Sequence, residues 1–342
     1  MRATVPAALL SLLLGACASV PGPGPQPVVV GYVPAFKGFD AIVARSDFSR
    51  YTHINLAFVN PGPEGRIVAG EDMACMDGGE RPVSLASFRR AVDEVHRDGA
   101  KVLVSLGGGL IPKCSGDWPA LLRPERRAEL VRSLVALVDE ERLDGLDVDL
   151  EWDVLTAIDK EGNFTPFIAE LSTAMRARGK LLTCATASNS GGMVPVESVP
   201  YFDLVNVMSY DNIGLSWGNP GDEHASFEMA VRDLAVWRSR GVPKERLVLG
   251  VPFYGYGFGS YQGSYGYRDL VARFGPEAVK NDVIGDRCPG CSYITHNSRE
   301  TLARKAALAR EQGAGVMVWE ITQDTDDQLL IRTVTDVLGG KR

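Results

Sequence analysis

The chain has 342 residues, of which 45% are hydrophobic, 23% charged and 8% aromatic, a composition typical of globular proteins rather than disordered or fibrous ones. Its 36 basic and 43 acidic residues give a formal charge of −7 without a dense basic stretch, which argues against nucleic acid as a partner. Six cysteines are too few for a disulfide scaffold, and four histidines leave little material for a histidine-rich metal site. We therefore expect no metal and no other cofactor.

The first residues form a separate segment with the pattern of a secretory signal peptide. Met1 to Ser19 has one basic residue, Arg2, followed by an apolar run and then small residues. The apolar run from Ala7 to Ala18 is 12 residues long, shorter than the roughly 18 that a membrane-spanning helix needs. Leu14 to Cys17 resembles a bacterial lipobox, which predicts that Cys17 becomes the lipidated first residue of the mature protein.

This interpretation divides the chain into three parts. They are a signal peptide over residues 1–16, a lipidation site with a Pro/Gly tether over 17–27, and a single domain over 28–338. We expect an exported lipoprotein of a bacterial envelope, held at a membrane surface, in the simplest case the outer membrane. The alternative is ordinary cleavage after Ala16 or Ala18, which would release a soluble secreted protein.

The cysteines that follow Cys17 indicate an oxidising compartment. Five remain, so they cannot all pair within the chain. Cys184 lies inside an apolar run and is most simply a buried small side chain. The other four lie in loop-like stretches and are Cys75, Cys114, Cys288 and Cys291. We expect two loop disulfides and one free thiol, with the pairing left open.

From Val28 onward, eight short β-rich runs recur, most of them separated by stretches with helical periodicity. The runs cover residues 28–33, 52–58, 101–106, 143–150, 181–187, 204–210, 246–253 and 314–320. The helical candidates are Ser84–Arg97, Pro124–Glu141, Phe167–Arg178, Ser226–Arg240 and Ser298–Gln312. This alternation predicts an α/β protein, and eight units predict a closed (β/α)8 TIM barrel. An open doubly wound sheet is the alternative, although the glycine-rich turn expected after its first strand is absent.

Candidate functional residues lie at the carboxyl ends of several of these runs, the edge where a barrel places its active site. They lie within the last residues of a run or just after it: Ser105, Gly107 and Gly108 at the third run, Asp149 and Glu151 at the fourth, Tyr210 and Asp211 at the sixth, and Trp319 at the eighth. Residues that are distant in sequence would therefore converge on one mouth.

The fourth run carries three acids at alternate positions, which we call the carboxylate ladder: Asp147, Asp149 and Glu151. Because side chains alternate across a strand, these acids face the barrel interior while the intervening residues face the helices. Neighbouring carboxylates in a low-dielectric space cannot all ionise cheaply, so at least one should be protonated near neutral pH. The alternatives are a solvated strand edge or a calcium site, but an inward ladder on a buried strand is a poor cage for calcium.

The sequence Asp144 to Glu151 matches the signature DGxDxDxE, and with it the chain resembles glycoside hydrolase family 18, the chitinases and their relatives. Six further motifs occur in the family's order. They are Gly31–Tyr32, Asn55–Phe58, Ser105–Gly108, Met208–Asp211, Gly250–Gly255 and Trp319. The resemblance covers nearly all of the chain after the tether and implies a TIM barrel that hydrolyses N-acetylglucosamine polymers.

The resemblance also implies the roles of the catalytic residues. Glu151 would protonate the glycosidic oxygen and later activate water, while the 2-acetamido oxygen of the substrate attacks C1 and forms an oxazolinium ion. Asp149 would bind the acetamido N–H and exchange its proton with Asp147. Tyr210 would donate its hydroxyl to the acetamido oxygen.

Eight further residues are implied in substrate binding. They are Tyr32, Phe58, Ser105, Gly107, Gly108, Met208, Asp211 and Trp319. Tyr32 and Ser105 would balance the charge of Asp147. Trp319 would form the floor of the sugar subsite, and Asp211 would lie on the leaving-group side and tune Glu151. Core packing is the alternative for Phe58, Met208 and Trp319.

The stretch from Pro252 to Gly313 is only 62 residues long, both ends included, and its last part is predicted to form a barrel helix. We expect a short, reduced insertion between strands seven and eight and a shallower, more open groove, which favours endo-cleavage or short oligosaccharides. We also expect a monomer. The predicted partner is chitin or a chito-oligosaccharide. Endo-β-N-acetylglucosaminidase activity on N-glycans, which relatives with Gln or Asn in place of Met208 or Asp211 often have, is one alternative. Peptidoglycan or spore-coat hydrolysis and a catalytically inactive glycan-binding protein are others.

Overall fold

The computed structural model describes residues 26–339. The predicted signal peptide, Cys17 and most of the tether lie outside the described residues, so the expectations placed on them stay predictions. Within residues 26–339, no helix is both long enough and apolar enough to cross a membrane.

The described chain contains fifteen strands, numbered in order. They are β1 Val28–Pro34, β2 His53–Val59, β3 Val68–Ala69, β4 Asp72–Asp77, β5 Pro82–Ser84, β6 Lys101–Gly108, β7 Gly145–Leu150, β8 Leu181–Thr186, β9 Leu204–Val207, β10 Leu247–Pro252, β11 Tyr254–Phe258, β12 Gly263–Gly266, β13 Val283–Gly285, β14 Tyr293–Thr295 and β15 Gly315–Trp319. Eight of them correspond to the eight predicted runs.

Eleven α-helices accompany the strands over residues 26–339. They are α1 Phe39–Arg45, α2 Leu85–Arg97, α3 Trp118–Leu121, α4 Pro124–Glu140, α5 Trp152–Lys160, α6 Phe164–Arg176, α7 Phe227–Ser239, α8 Tyr267–Phe274, α9 Pro276–Lys280, α10 Arg299–Gln312 and α11 Leu329–Leu338. The five predicted helices are α2, α4, α6, α7 and α10. Three of them begin after a serine whose hydroxyl accepts a hydrogen bond from the first turn, namely Ser84, Ser226 and Ser298.

The eight predicted strands close into one parallel barrel, which confirms the (β/α)8 TIM fold. Their order around the barrel is β1-β15-β10-β9-β8-β7-β6-β2. Residues facing outward pack with the helices in the main core, and Leu146, Val148 and Leu150 of β7 belong to it. A smaller apolar cluster that includes Val30, Tyr32 and Met317 fills the barrel interior. The interior is therefore packed, and open space for a ligand lies at its carboxyl end.

The chain between β10 and α10 contains the expected insertion, and it is a folded unit. Strands β11 to β14 form an antiparallel sheet in the order β12-β11-β14-β13, with α8 and α9 between β12 and β13. Leu270, Ala278, Ile284 and Ile294 give this unit its own small core. The unit is short, but it is more ordered than a reduced connection suggested, and β11 follows β10 directly at the barrel mouth.

The cysteine expectation is confirmed. Disulfides join Cys75 to Cys114 and Cys288 to Cys291, while Cys184 is a buried free thiol. The first disulfide connects β4, which belongs to a small sheet inserted after β2, to the loop after β6. It therefore fixes two connections at the mouth relative to one another.

Candidate active site

The carboxylate ladder lies on β7 with the predicted alternation. Asp147 and Asp149 are buried, with side chains on the interior face of the barrel, whereas the intervening leucine and valine side chains pack under the helices. Glu151 follows the last residue of β7 with an extended backbone, immediately before α5, and is partly exposed. The ladder thus runs from the closed interior to the mouth.

Asp147, at the base of the ladder, is held by hydrogen bonds from several strands. Its Oδ2 accepts from the Tyr32 hydroxyl at 2.7 Å and from Ser105 Oγ at 2.8 Å. Its Oδ1 accepts from Thr183 Oγ1 at 2.6 Å and from Asn206 Nδ2 at 3.4 Å. Burial raises the pKa of Asp147, and these donors oppose that rise because they stabilise the carboxylate. Tyr32 and Ser105 thus contact Asp147, and their predicted role in balancing its charge stays a prediction.

Asp149 has the opposite surroundings. It is buried, and its Oδ1 has no hydrogen-bond partner among the described residues. Burial first, and the negative charges of Glu151 and Asp147 second, raise the pKa of Asp149 well above its usual range. The surroundings of Asp149 therefore favour its neutral form, and its Oδ1 makes no hydrogen bond among the described residues.

Glu151 is also poised to hold a proton. Loss of surrounding water and the charge of Asp211 raise the pKa of Glu151 to about 7. Gly109 leaves room for this carboxyl group, since a Cβ at residue 109 would lie 2.9 Å from Glu151 Oε1. A carboxylic acid with a pKa near neutrality can both donate and accept a proton in one reaction cycle.

The two glycines after Ser105 allow the close packing beneath the ladder. Gly107 and Gly108 have φ angles of 100° and 97°, a region that favours glycine. A Cβ at Gly107 would lie 2.7 Å from the carbonyl oxygen of Asp149, and one at Gly108 would lie 2.7 Å from the Phe58 ring. They position the ladder and the aromatic floor, and their predicted contact with substrate stays a prediction.

An aromatic group borders the ladder on the β1, β2 and β15 side. Trp319, at the end of β15, stacks on Phe58 with ring centroids 5.6 Å apart and meets the edge of Tyr32 at 5.5 Å. Trp319 and Phe58 are both partly exposed. This arrangement can offer apolar area to a sugar ring, as the sequence predicted.

Tyr210 and Asp211 follow β9 at the same end of the barrel, and the Tyr210 hydroxyl lies 3.9 Å from Met317 Sδ of β15. Burial, and then the charges of Asp149, Asp211 and Glu151, raise the pKa of Tyr210, so its hydroxyl stays protonated as a donor. Asp211 has a φ of 61° and accepts a hydrogen bond from the Tyr254 hydroxyl at 2.6 Å. Met208 packs, partly buried, with the interior cluster. Tyr210 and Asp211 therefore lie at the same end of the barrel as Glu151 and Trp319.

Sequence reasoning missed Thr183, Asn206 and Tyr254. Asn206 could have been found, because residues 206, 208 and 210 share one face of their strand. Thr183 is the register partner of Asp147, which the pattern of a single strand does not reveal. Within residues 26–339, no group of three or more His, Cys, Asp or Glu side chains could hold a metal ion.

A group of acids beside an aromatic wall at the carboxyl end of a TIM barrel is typical of glycoside hydrolases. The chain belongs to the glycosyl hydrolases family 18, whose model matches residues 28–324. A class V chitinase from Arabidopsis thaliana is 25% identical over 86% of this chain and 86% of its own length.

Solved structures agree with this assignment. The chitinase from the chitin utilization locus of Flavobacterium johnsoniae has a TM-score of 0.77 and 30% identity, covering 92% of this chain and 94% of its own. A chitinase from Bacteroides thetaiotaomicron has a TM-score of 0.73 and 27% identity, covering 92% and 96%.

Proposed function

We propose that the protein hydrolyses the β-1,4 bonds of chitin and chito-oligosaccharides by substrate-assisted catalysis. The observation that carries the proposal is Asp149, a buried acid with an unpartnered oxygen and a raised pKa, placed between Asp147 and Glu151. Such a group suits an amide ligand, because it can hydrogen-bond an acetamido group that enters the mouth. The names of the chitinases similar to this chain support the same substrate.

In the proposed first step, the acetamido oxygen of the sugar attacks C1 as Glu151 transfers its proton to the departing glycosidic oxygen. The C1–O bond breaks, the leaving sugar departs with a hydroxyl group, and an oxazolinium ion forms. Asp149 and the Tyr210 hydroxyl orient the acetamido group. In the second step, Glu151 takes a proton from water and the water oxygen bonds to C1. The oxazolinium ring opens, which restores the acetamido group and retains the configuration at C1.

The environment of the ladder favours the substrate rather than the enzyme as nucleophile. Asp147 accepts from four donors, and the raised pKa of Asp149 favours its neutral form, so neither is suited to attack C1 as a carboxylate. Glu151, with a pKa raised to about 7, is suited to the acid and base steps at mildly acidic pH.

The decisive test is Glu151→Gln, which preserves shape and removes the transferable proton. We expect release of a fluorophore from a chitotriose glycoside to fall by at least about 10²-fold with folding unchanged. Normal turnover by the variant would exclude Glu151 as the acid. Parallel assays on colloidal chitin, a high-mannose glycoprotein and peptidoglycan separate the proposed substrate from the alternatives, and the product lengths report endo-cleavage.

We also propose that the protein is exported and anchored through a lipid on Cys17. The apolar run and the lipobox-like residues before Cys17 support this proposal. Cys17→Ser should move the protein from the membrane fraction to the soluble fraction. Unchanged fractionation would count against the anchor.

A further inference from the structure

A buried histidine lies behind the mouth, next to Asp211. His224 belongs to the loop between β9 and α7, and its side chain is fully buried. Its Nδ1 lies 3.6 Å from Asp211 Oδ1, and neither ring nitrogen has a hydrogen-bond partner within residues 26–339. Buried polar nitrogens are normally hydrogen-bonded, so an unpartnered imidazole pointing at a carboxylate requires an explanation.

The surroundings of His224 fix the ring at this place. Its backbone N–H donates to Thr295 Oγ1 of β14 at 3.2 Å, and its carbonyl accepts from the N–H of Asn212, the residue after Asp211. The ring packs against two tyrosines of β11, with centroids 5.2 Å from Tyr254 and 5.5 Å from Tyr256. The insertion thus packs against the His224 ring on the side of Tyr254 and Tyr256 and helps to fix its position beside Asp211.

The titratable groups that face the ring come from three elements. They are Asp211 after β9, Tyr254 and Tyr256 on β11, and His296 after β14. The charged groups beside this loop already have partners. Glu223 pairs with Arg287, and Lys305 donates to the carbonyl of Ala225 and to Asn297 Oδ1. Asp211 is therefore the anion available to the imidazole.

We infer that His224 is a positioning residue of the active site, whose Nδ1–H donates to Asp211 when a sugar occupies the mouth and holds that carboxylate beside Glu151. A separation of 3.6 Å is too long for a hydrogen bond, but catalytic hydrogen bonds are often long without ligand and shorten in the complex. Tyr254 already holds the same Oδ1. The inference rests on the proposed function, because it concerns how Glu151 keeps its proton.

The consequence is a specific effect on pH dependence. The charge of Asp211 raises the pKa of Glu151, and the general acid must be protonated to act. Without the His224 donor, Asp211 is less well held beside Glu151, so the pKa of Glu151 falls. The alkaline limb of the kcat/KM profile then moves to lower pH.

The experiment compares kcat/KM against pH, on a chitobiose fluorophore glycoside, for substitutions at residue 224. His224→Asn keeps an amide nitrogen at the same number of bonds from Cα as Nδ1, whereas His224→Gln places it one bond farther and His224→Leu removes it. We expect the Leu and Gln variants to shift the alkaline limb downward by up to about one pH unit and the Asn variant to restore it. A control is His53→Leu, another buried histidine, which begins β2 at the opposite end of the barrel and whose Nδ1 lies 2.8 Å from Thr52 Oγ1.

Several outcomes would overturn the inference. One is an unchanged alkaline limb in the folded Gln or Leu variant, and another is an equal shift in the His53→Leu control. If the Leu variant does not fold, the Asn and Gln pair decides. In an Asp211→Asn background the effect of residue 224 should vanish, whereas a general loosening of the wall would persist. Full activity of Glu151→Gln would contradict the proposed function itself, while a His224 result alone would not.

Discussion

The base and the middle of the carboxylate ladder are adjacent on one strand and have opposite surroundings. Asp147 accepts four hydrogen bonds, which offset part of the rise in its pKa that burial causes. Asp149 is equally enclosed, but its Oδ1 has no partner among residues 26–339, and both neighbouring acids raise its pKa further. The same residue type thus has two functions, one fixing the site and one available to a ligand.

The difference shows how the surroundings of one strand can favour different protonation states in two aspartates. Hydrogen-bond donors favour the charged form of a carboxyl group, whereas burial and like charges favour its neutral form. The four donors at Asp147 come from β1, β6, β8 and β9, so the closed sheet itself sets this contrast. Perturbing either acid should therefore separate positioning from proton exchange.

The largest expected effect is on Asp149. Asp149→Asn keeps the size of the side chain and removes its exchangeable proton, so we expect kcat/KM to fall about 10²- to 10⁴-fold. The control is Asp144→Asn, the same substitution just before the same strand at the opposite end of the barrel, where Asp144 accepts from the Val102 N–H at 2.9 Å. If both variants lost activity equally, disruption of β7 rather than chemistry would explain the result.

Asp149→Asn also tests the cost of the ladder to stability. A buried acid whose folded-state pKa is raised destabilises the folded protein increasingly as pH rises above the unfolded-state pKa of about 4. The Asn variant should therefore melt at a higher temperature than the parent at pH 8, and the gain should disappear toward pH 4. A gain that does not depend on pH would contradict a protonated Asp149.

The ladder was predictable because it depends on local rules. Alternation along a single strand placed Asp147, Asp149 and Glu151 on the interior face, and the eight runs placed that strand in a closed barrel. Thr183 depends on the register between β7 and β8, and a shift by one residue would turn its side chain outward. Period-two patterns within separate runs do not specify that register.

The part of the mouth formed by the insertion and by the loop after β9 was less predictable from the sequence. Strands β11 and β12 are short and rich in glycine and tyrosine, so they lack the alternating apolar residues that mark a half-buried strand. His224 lies in a loop without periodicity, and its proximity to Asp211 depends on how the insertion packs. Helix α6 begins at Phe164, three residues before the predicted start, because Pro166 is accommodated in its first turn.

The next expected effect concerns the support of Asp149 from β6. Gly107→Ala and Gly38→Ala both place a Cβ on a residue with a φ near 100°. The added Cβ has open space at residue 38, whereas at residue 107 it would lie 2.7 Å from the carbonyl oxygen of Asp149. We expect Gly38→Ala to cost about 1 kcal/mol in the free energy of unfolding, and Gly107→Ala to cost about 2 kcal/mol more and to lower kcat/KM. Urea denaturation measures both. Equal costs would mean that backbone conformation alone requires Gly107.

The smallest expected effect concerns Asp211, whose charge is the second cause of the raised pKa of Glu151. Burial is the first cause of the raised pKa of Glu151, and the charge of Asp211 is the second, so Asp211→Asn should lower that pKa only in part. Because the protonated acid is the active form, the alkaline limb of kcat/KM should move to lower pH by up to about one unit, with the acidic limb less affected. Asp222→Asn is a suitable control, since Asp222 lies in the same loop and accepts hydrogen bonds from Asn212 and Asn219. An alkaline limb that did not move would mean that burial alone maintains the proton on Glu151. The role of Asp211 would then be limited to shaping the mouth.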